Sequence, residues 1–320
     1  MKQNILGIDI GGTKITVALV SLQRDILWQT TIATKVSSGF KGVLSQLLDI
    51  IEQTNSYGTP IAIGLGVPGP IDKEKGVIIN APHLGWFNIP IVSLLEKTTG
   101  IKTLIENDAN AASLGELFFG AGQGAKDLIY ITVSTGIGGG FIVNKRLISG
   151  KNGGAGELGH LKVLKNGPIC KCGQSGCLEA LSSGTAIART MKEELISGEK
   201  SILTEMVKGN LDEIDTQKIY LAALKRDKLS LKVLNTAMKH LGVTVANLVN
   251  LFNPEMVLIG GGVSNIGDLL FTPVKEEVKK RVFPAFYEDL YIGPPTLKKN
   301  SGVLGAVAIV MQHLNIAQDA

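Results

Sequence analysis

The chain is poor in cysteine, in long apolar runs and in clustered charge, and each shortage excludes a class of protein. Three cysteines among 320 residues do not suit the disulfide framework of a secreted domain. No window supplies the roughly twenty apolar residues that a membrane-spanning helix needs, and Asp9 interrupts the first apolar run too early for a signal peptide. The lysines behind the net charge of +4 are scattered, unlike those of a nucleic-acid-binding surface. We therefore expect a cytoplasmic protein without membrane or nucleic-acid partners.

Glycine, by contrast, is abundant and clustered. Among the 39 glycines are short clusters between apolar runs, at residues 11–12, 136–140, 153–159 and 260–262. Glycine permits positive φ and a close approach of the backbone to a ligand, so clusters at strand ends predict ligand-binding loops; tight turns are the alternative for one or two of them. Because the chain is long and 44% of its residues are hydrophobic, we expect two lobes.

Apolar periodicity predicts an alternation of strands and helices. Strands are predicted at 4–10, 14–21, 25–34, 61–67, 102–106, 127–133, 141–143, 255–259 and 288–292. Helices are predicted at 40–53, 90–98, 108–118, 268–281 and 302–315, and over most of 183–252. Asn88 is expected to cap the helix that starts near Pro90, and residues 134–140 are expected to form a glycine-rich turn.

The opening strand–turn–strand pattern occurs a second time in the middle of the chain. Residues 5–13 and 129–136 each combine an apolar strand with a turn of small residues that contains a threonine. We interpret this as an internal duplication in which each lobe presents a hairpin tip to a shared cleft; chance similarity of two glycine turns is the alternative. The prediction is an α/β protein with a small lobe of residues 1–117 plus a C-terminal helix at about 302–320, and a large lobe of residues 118–301.

Each hairpin tip is expected to bind phosphate. In the first, the backbone N–H groups of Gly11 and Gly12 can form a nest for an anion. Thr13 and Lys14 add a hydroxyl group and a positive charge at the same point. Asp9, at the end of the strand, is placed to hold Mg²⁺ through water. One such tip alone could be structural, but two predict a nucleotide-binding cleft.

A carboxylate at the start of a predicted helix is a candidate general base. Asp108 follows Glu106 and Asn107 where a buried strand meets the helix, and the helix dipole stabilises its ionised form there. A weak base suffices for phosphoryl transfer, because a loose transition state deprotonates the attacking hydroxyl late. The alternative is that Asn107 or Asp108 only caps the helix.

All three cysteines lie within eight residues of one another and near one of the four histidines. Three thiolates and an imidazole form the ligand set of a closed, structural zinc site, and a chance cluster of free cysteines is the alternative. The four residues are His160, Cys170, Cys172 and Cys177. Glu157 and Glu179 flank this set, so a zinc-pinned loop would fix two carboxylates, which bind sugar hydroxyls well, as walls of one pocket.

Together these motifs resemble the ROK family of repressors, open reading frames and kinases, and within it the bacterial glucokinases. The resemblance covers nearly the whole chain and is weakest over residues 195–235. It rests on the segments Asp9–Lys14, Glu106–Asn110, Ser134–Gly140, Gly156–His160, Cys170–Glu179 and Ile259–Gly262.

The resemblance implies an actin-like, ribonuclease-H-like ATPase fold with a cleft between two α/β lobes. It implies ATP-dependent phosphorylation of the 6-hydroxyl of a hexose, most closely glucose, with Asp108 as general base and with Mg²⁺ and a structural zinc as cofactors. We expect a homodimer or a homotetramer. Residues implied in sugar binding are Gly69, Asn107, Asp108, Glu157, His160 and Glu179, with His160 also a zinc ligand. Residues implied in binding ATP and Mg²⁺ are Asp9, Gly11, Gly12, Thr13, Lys14, Thr135, Gly136, Gly138, Gly261 and Gly262.

Three alternatives to a glucose kinase follow from the same residues. A kinase for N-acetylmannosamine or N-acetylglucosamine would use the same pocket, and His83, where relatives often have asparagine, leaves the choice of sugar open. A sugar-sensing repressor would carry a helix-turn-helix domain before Asp9, for which eight residues are too few. An actin-like or chaperone-like ATPase would need neither the zinc loop nor Glu157, His160 and Glu179.

Overall fold

Strands and helices alternate along the chain in the computed structural model, which describes residues 3–151 and 153–316. The strands are β1 (Asn4–Ile10), β2 (Lys14–Ser21), β3 (Ile26–Ala33), β4 (Pro60–Val67), β5 (Ile71–Asp72), β6 (Val77–Ala81), β7 (Trp86–Ile89), β8 (Thr103–Asn107), β9 (Leu128–Val133), β10 (Ile137–Val143), β11 (Arg146–Leu147), β12 (Met256–Gly260) and β13 (Tyr291–Gly293). The helices are α1 (Gly39–Thr54), α2 (Ile91–Thr99), α3 (Asp108–Phe119), α4 (Leu178–Ser182), α5 (Gly184–Ile196), α6 (Leu203–Met206), α7 (Thr216–Leu224), α8 (Lys228–Phe252), α9 (Asp268–Arg281), α10 (Pro284–Tyr287) and α11 (Ser301–His313).

Two five-stranded sheets within the described residues share one strand order. The first runs β3-β2-β1-β4-β8, with β1, β2 and β3 antiparallel and with β4 and β8 parallel to β1. The second runs β11-β10-β9-β12-β13, with β10 and β11 antiparallel and β12 and β13 parallel. In each sheet three consecutive strands are followed by two that arrive after helical segments, which agrees with the predicted duplication.

By its internal contacts the chain divides into two compact units. The first consists of Met1–Leu128, Gly140–Gly156 and Pro295–Ala320, and the second of Ile129–Gly139 and Glu157–Pro294. Helix α11 thus belongs to the same unit as the N-terminal strands. The lobe bounds of residues 1–117 and 118–301 stay a prediction.

Close backbone packing attaches α11 to the first sheet. A Cβ added at Gly64 of β4 would overlap the carbonyl oxygen of Ala306, and one at Gly7 of β1 would lie 2.5 Å from the carbonyl oxygen of Val303. Any side chain at either position would push the helix away from the strands, and overpacked cores lose stability. The two glycines therefore set how near α11 lies to the end of β1.

Several details of the predicted secondary structure are wrong, and the strand predicted at 288–292 begins only at Tyr291. Asn88 does not cap α2, because residues 86–89 form β7 and pair with β6, and Pro90 occupies the N-cap position without a side-chain hydrogen bond. The glycine-rich turn is shorter than predicted, because β10 already begins at Ile137. Glycine is needed inside this strand for packing, since a Cβ at Gly139 would overlap the side chain of Leu158. Among the described residues, no helix is both long and apolar enough to cross a membrane.

Candidate active site

The tip between β1 and β2 is fixed by one backbone hydrogen bond and one hydrogen bond from a threonine side chain. The N–H of Gly11 donates to the carbonyl of Lys14 (2.9 Å), and the Thr34 hydroxyl donates to the carbonyl of Gly11 (2.7 Å). Thr13 and Lys14 are exposed. His83 forms one wall of the tip, because a Cβ added at Gly12 would lie 3.1 Å from the Cβ of His83.

Asp9 lies at the end of β1 in a buried, acidic environment. Burial raises the pKa of Asp9 from 3.8 to about 7, with a further increase from the Asp108 carboxylate and a partial decrease from Lys14. Gly302, at the start of α11, lies directly against this carboxylate, since any Cβ there would overlap it. A carboxyl group at this position therefore takes up a proton in the folded protein unless a cation is bound beside it.

The start of α3 presents a second carboxylate to solvent. Asn107 is the N-cap: its side-chain oxygen accepts hydrogen bonds from the N–H groups of Ala109 (2.9 Å) and Asn110 (3.4 Å), and its amide donates to the carbonyl of Gly69 (3.3 Å). Asp108, the first residue of the helix, is exposed and accepts from Ala109 N–H at 2.8 Å. The capping role thus falls to Asn107, and Asp108 is accessible to a substrate.

Gly69 is required by the local backbone. Its φ is +86°, which favours glycine, and a Cβ there would overlap the carbonyl oxygen of Asn80. The carbonyl of Gly69 therefore remains at a fixed place beside Asn107. In the first unit the structure brings together the predicted residues Asp9, Gly11, Gly12, Thr13, Lys14, Gly69, Asn107 and Asp108.

In the second unit, three chain segments meet at the tip between β9 and β10. The carbonyl of Ser134 accepts from the N–H of Gly184 (2.7 Å), and its hydroxyl accepts from the N–H of Gly262 (3.1 Å). The Thr185 hydroxyl donates to the carbonyl of Thr135 (2.7 Å). Gly261 has a φ of +85°, and a Cβ there would overlap the backbone of Val133.

A cavity of about 670 Å³ opens beside this tip. Its lining combines Ser134, Thr135 and Gly262, which belong to the predicted glycine motifs, with residues that the sequence did not single out: Gly184, Thr185, Ala188, Ile214, Asp215, Thr216, Gln217, Tyr220, Val263, Asn265 and Ile266. Apolar walls with hydroxyl and amide groups suit a flat heteroaromatic ring attached to a ribose. The predicted Gly138 lies inside β10 rather than at the tip.

The four predicted metal ligands converge in the second unit. All ligand atoms of His160, Cys170, Cys172 and Cys177 lie within 4.8 Å of one another. Cys170 Sγ is 3.7 Å from His160 Nδ1, and Cys172 Sγ is 3.6 Å from Cys177 Sγ. A tetrahedral zinc ion with bonds of about 2.3 Å to sulfur and about 2.0 Å to nitrogen separates its ligands by roughly 3.5–3.8 Å. The donor set and its spacing therefore fit this ion.

Glu179 connects the cysteine cluster to the hairpin tip. Its Oε2 accepts from the N–H of Ile137 (3.0 Å), and its Oε1 lies 3.9 Å from Cys170 Sγ. Glu157 is exposed and precedes the short 3₁₀ turn Leu158–His160, where its carbonyl accepts from the N–H of His160 (3.0 Å). Both residues thus belong to segments that carry the four clustered ligands, and the Glu179 carboxylate is held by the N–H of Ile137.

We predict a pH-dependent stabilisation when Asp9 is replaced by Asn. In wild-type protein without metal, the folded state holds a proton on Asp9 between about pH 4 and 7 that the unfolded state has released, so stability falls as the pH rises through this window. Asp9→Asn removes this loss, which amounts to up to about 4 kcal/mol for a shift of about three pKa units. Thermal unfolding in EDTA at pH 4.5 and pH 8 measures it.

The exposed helical residue Asp49 provides the control, as Asp49→Asn. We expect the Asp9→Asn variant to gain thermal stability over wild type mainly at pH 8, and the control to match wild type at both pH values. A gain that is equal at the two pH values would contradict the assignment.

The comparisons with known proteins agree with this arrangement. The model of the ROK family matches residues 5–313. A glucokinase of Thermotoga maritima is 37% identical over 314 residues, covering 98% of this chain and 99% of that protein. A xylose repressor of Caldicellulosiruptor bescii is 35% identical over 318 residues, covering 97% of this chain and 79% of that protein.

A solved structure supports the same relationship. The ROK family glucokinase from Streptomyces griseus, in complex with glucose and AMPPNP, superposes with a TM-score of 0.80 at 31% identity, covering 97% of this chain and 99% of that one. The match confirms the α/β, actin-like fold class that the sequence resemblance implied. The chain therefore belongs to the ROK family.

Proposed function

We propose that this protein is an ATP-dependent kinase that phosphorylates the 6-hydroxyl group of a hexose, with glucose as the substrate. The observation that carries the proposal is the exposed carboxylate of Asp108 at the start of α3, beside the N-cap Asn107 that is bonded to Gly69. A sugar-sensing repressor needs to bind the sugar but has no use for a general base next to a phosphate-binding tip.

Each residue would have a defined role in this reaction. Asp108 would accept the proton of the 6-hydroxyl as that oxygen attacks the γ-phosphate, and a weak base is enough because this proton transfer comes late. Asn107 and the carbonyl of Gly69 would bind sugar hydroxyls. From the second unit, Glu157, His160 and Glu179 would bind further sugar hydroxyls, because each hydroxyl both donates and accepts.

The nucleotide would be held by the two glycine tips and by the cavity beside the second tip. Backbone N–H groups at Gly12 and Gly136 would bind phosphate oxygens, and Thr13, Lys14 and Thr135 would add hydroxyl groups and a charge. Gly11 would shape the first tip, since its own N–H donates to the carbonyl of Lys14. Gly138, Gly261 and Gly262 would complete the set of nucleotide-binding glycines. The adenosine would occupy the 670 Å³ cavity. Asp9 would hold Mg²⁺ through water, which would neutralise charge on the phosphates.

A structural zinc would bind to His160 and the three cysteines. The ion would close the loop between Leu158 and Leu178 and so fix His160 and Glu179 for sugar binding. Lys162, whose Nζ lies 2.9 Å from Cys177 Sγ, would offset the net negative charge of a zinc ion with three thiolates.

Three further assignments belong to the proposal. The lobes would span residues 1–117 with the C-terminal helix, and residues 118–301. The assembly would be a homodimer or a homotetramer, and the location the cytoplasm.

A substrate panel tests the proposed reaction. Purified protein with ATP and Mg²⁺ is assayed for ADP release with glucose, 2-deoxyglucose, mannose, N-acetylglucosamine and N-acetylmannosamine. We expect the highest kcat/KM for glucose, because a pocket that hydrogen-bonds the 2-hydroxyl discriminates against analogues that leave its polar groups unpaired. A higher value for an N-acetylated sugar would replace glucose as the substrate, and no ADP release with any sugar would rule out the kinase.

The role of Asp108 is tested by Asp108→Asn. The amide keeps the shape and hydrogen-bonding capacity of the side chain but accepts no proton, so kcat should fall by about 10²–10⁴-fold. Glucose affinity, measured by calorimetry, should stay within a few-fold of wild type. A kcat within threefold of wild type would exclude Asp108 as the base.

The metal site is tested by elemental analysis. Wild-type protein should contain about one zinc per chain, and Cys177→Ser should lose the metal and raise KM for the sugar while KM for ATP changes little. Ser175→Ala, in the same loop, serves as the control and should keep the metal. Full activity in wild-type protein with less than half an equivalent of zinc would contradict the site.

A further inference from the structure

A buried carboxylate lies directly before the proposed sugar-binding and catalytic residues. Glu106 is the fourth residue of β8, immediately before Asn107 and Asp108, and its side chain is 0% exposed. A carboxylate that is removed from water must be paired or fully hydrogen-bonded, since otherwise the cost is several kcal/mol. The partners of Glu106 therefore show what this charge is used for.

The two oxygens of Glu106 face in different directions. Oε1 accepts from the N–H of Asn107 (3.1 Å) and from the side-chain amide of Asn110 (3.0 Å), so it holds the first turn of α3. Oε2 accepts from Lys73 Nζ (2.6 Å) and from the Ser149 hydroxyl (3.4 Å). One carboxylate thus joins the start of α3 to two other segments of the first unit.

Lys73 supplies the positive charge from a turn far away in sequence. It lies between β5 and β6, and its Nζ is also 3.4 Å from the Ser149 hydroxyl. Its side chain remains 44% exposed, so the ammonium group is only partly removed from water. The same turn contains Lys75, which is 78% exposed and pairs with Asp72 at 3.0 Å instead.

Ser149 extends the connection toward a second part of the proposed sugar site. Its carbonyl accepts from the N–H of Ala155 (3.1 Å), which brings the chain back to Ser149 shortly before Gly156 and Glu157. The Asn110 amide depends on Glu106 for its orientation, because its Oδ1 is buried without a hydrogen-bond partner among the described residues. The Lys73–Glu106 pair therefore contacts both the start of α3 and Ser149, to whose carbonyl Ala155 is bonded.

We propose that Glu106, paired with Lys73, is a positioning residue for the phosphorylation reaction. It touches neither sugar nor nucleotide, and acts by fixing Asn107 and Asp108 at the start of α3 and Ser149 at the base of the segment before Glu157. Errors of about 1 Å in the placement of reacting groups cost on the order of 100-fold in rate. The inference rests on the proposed hexokinase function and identifies residues that would set the geometry of the active site.

The test compares two lysines of one turn. Lys73→Met removes the charge that Glu106 needs, Lys75→Met removes an exposed charge nearby, and Lys73→Arg keeps a cation that can reach the carboxylate. We expect Lys73→Met to lower kcat/KM for glucose by about 10- to 100-fold, with KM for ATP within twofold of wild type. Lys73→Arg should recover most of the activity, and Lys75→Met should equal wild type.

The variant Glu106→Gln distinguishes a loss of positioning from a folding defect. Gln keeps an oxygen for Asn107 and Asn110 but offers an NH₂ group to Lys73, so the link to Lys73 should break without leaving a buried charge unpaired. We expect the same selective loss in kcat/KM for glucose in protein whose thermal midpoint stays near that of wild type.

The possible outcomes distinguish a failure of the proposed kinase function from a failure of the positioning role. A wild-type protein that phosphorylates no hexose overturns the proposed function, and this inference with it. An active wild type with Lys73→Met and Glu106→Gln both equal to Lys75→Met overturns the inference alone. A rise in KM for ATP as large as the rise in KM for glucose in both variants would mark the pair as merely structural, and would also overturn it.

Discussion

The approach of α11 to the first sheet is the contact on which the first unit depends. Gly7 and Gly64 allow helix backbone to pack directly on strand backbone, and Gly302 lets the helix start lie against Asp9. This proximity helps to shield the Asp9 carboxyl group from water, and burial is the largest contribution to its raised pKa. The backbone packing that orders the apolar core thus also positions an ionisable group.

Several carboxylates in the described structure accept hydrogen bonds from segments that are distant in sequence. Glu116, which is buried, accepts hydrogen bonds from the N–H groups of Ala121, Thr296 and Leu297 and so fastens the segment before α11 to the end of α3. Glu179 links the hairpin tip to the cysteine cluster, and Glu106 links three segments of the first unit. Backbone N–H groups and side chains both donate these bonds, and hydrogen bonds to a charged acceptor are stronger than neutral ones.

The sequence allowed the fold class and the convergence of the four metal ligands to be predicted, because these signals are local: a strand followed by a glycine turn, or ligands within a few residues. The walls of the 670 Å³ cavity were missed, since Gln217 and Tyr220 belong to an ordinary amphipathic helix. Glu106 was treated only as the neighbour of Asp108, because its partners Lys73 and Ser149 are 33 and 43 residues away. Asn88 and the glycines of β10 were misread where strand pairing and packing outweighed local turn preference.

The repeated strand order gives α3 and α11 equivalent places, each as the helix that follows the fifth strand of its sheet. The two helices pack on each other through glycines: a Cβ at Gly115 would lie 2.6 Å from the carbonyl oxygen of Ser301, and one at Gly305 would overlap the carbonyl of Ala111. Contacts in which a surface meets its own counterpart are typical of twofold homodimers. The contact between α3 and α11 resembles such an interface, but both helices belong to one chain. It therefore forms at any protein concentration.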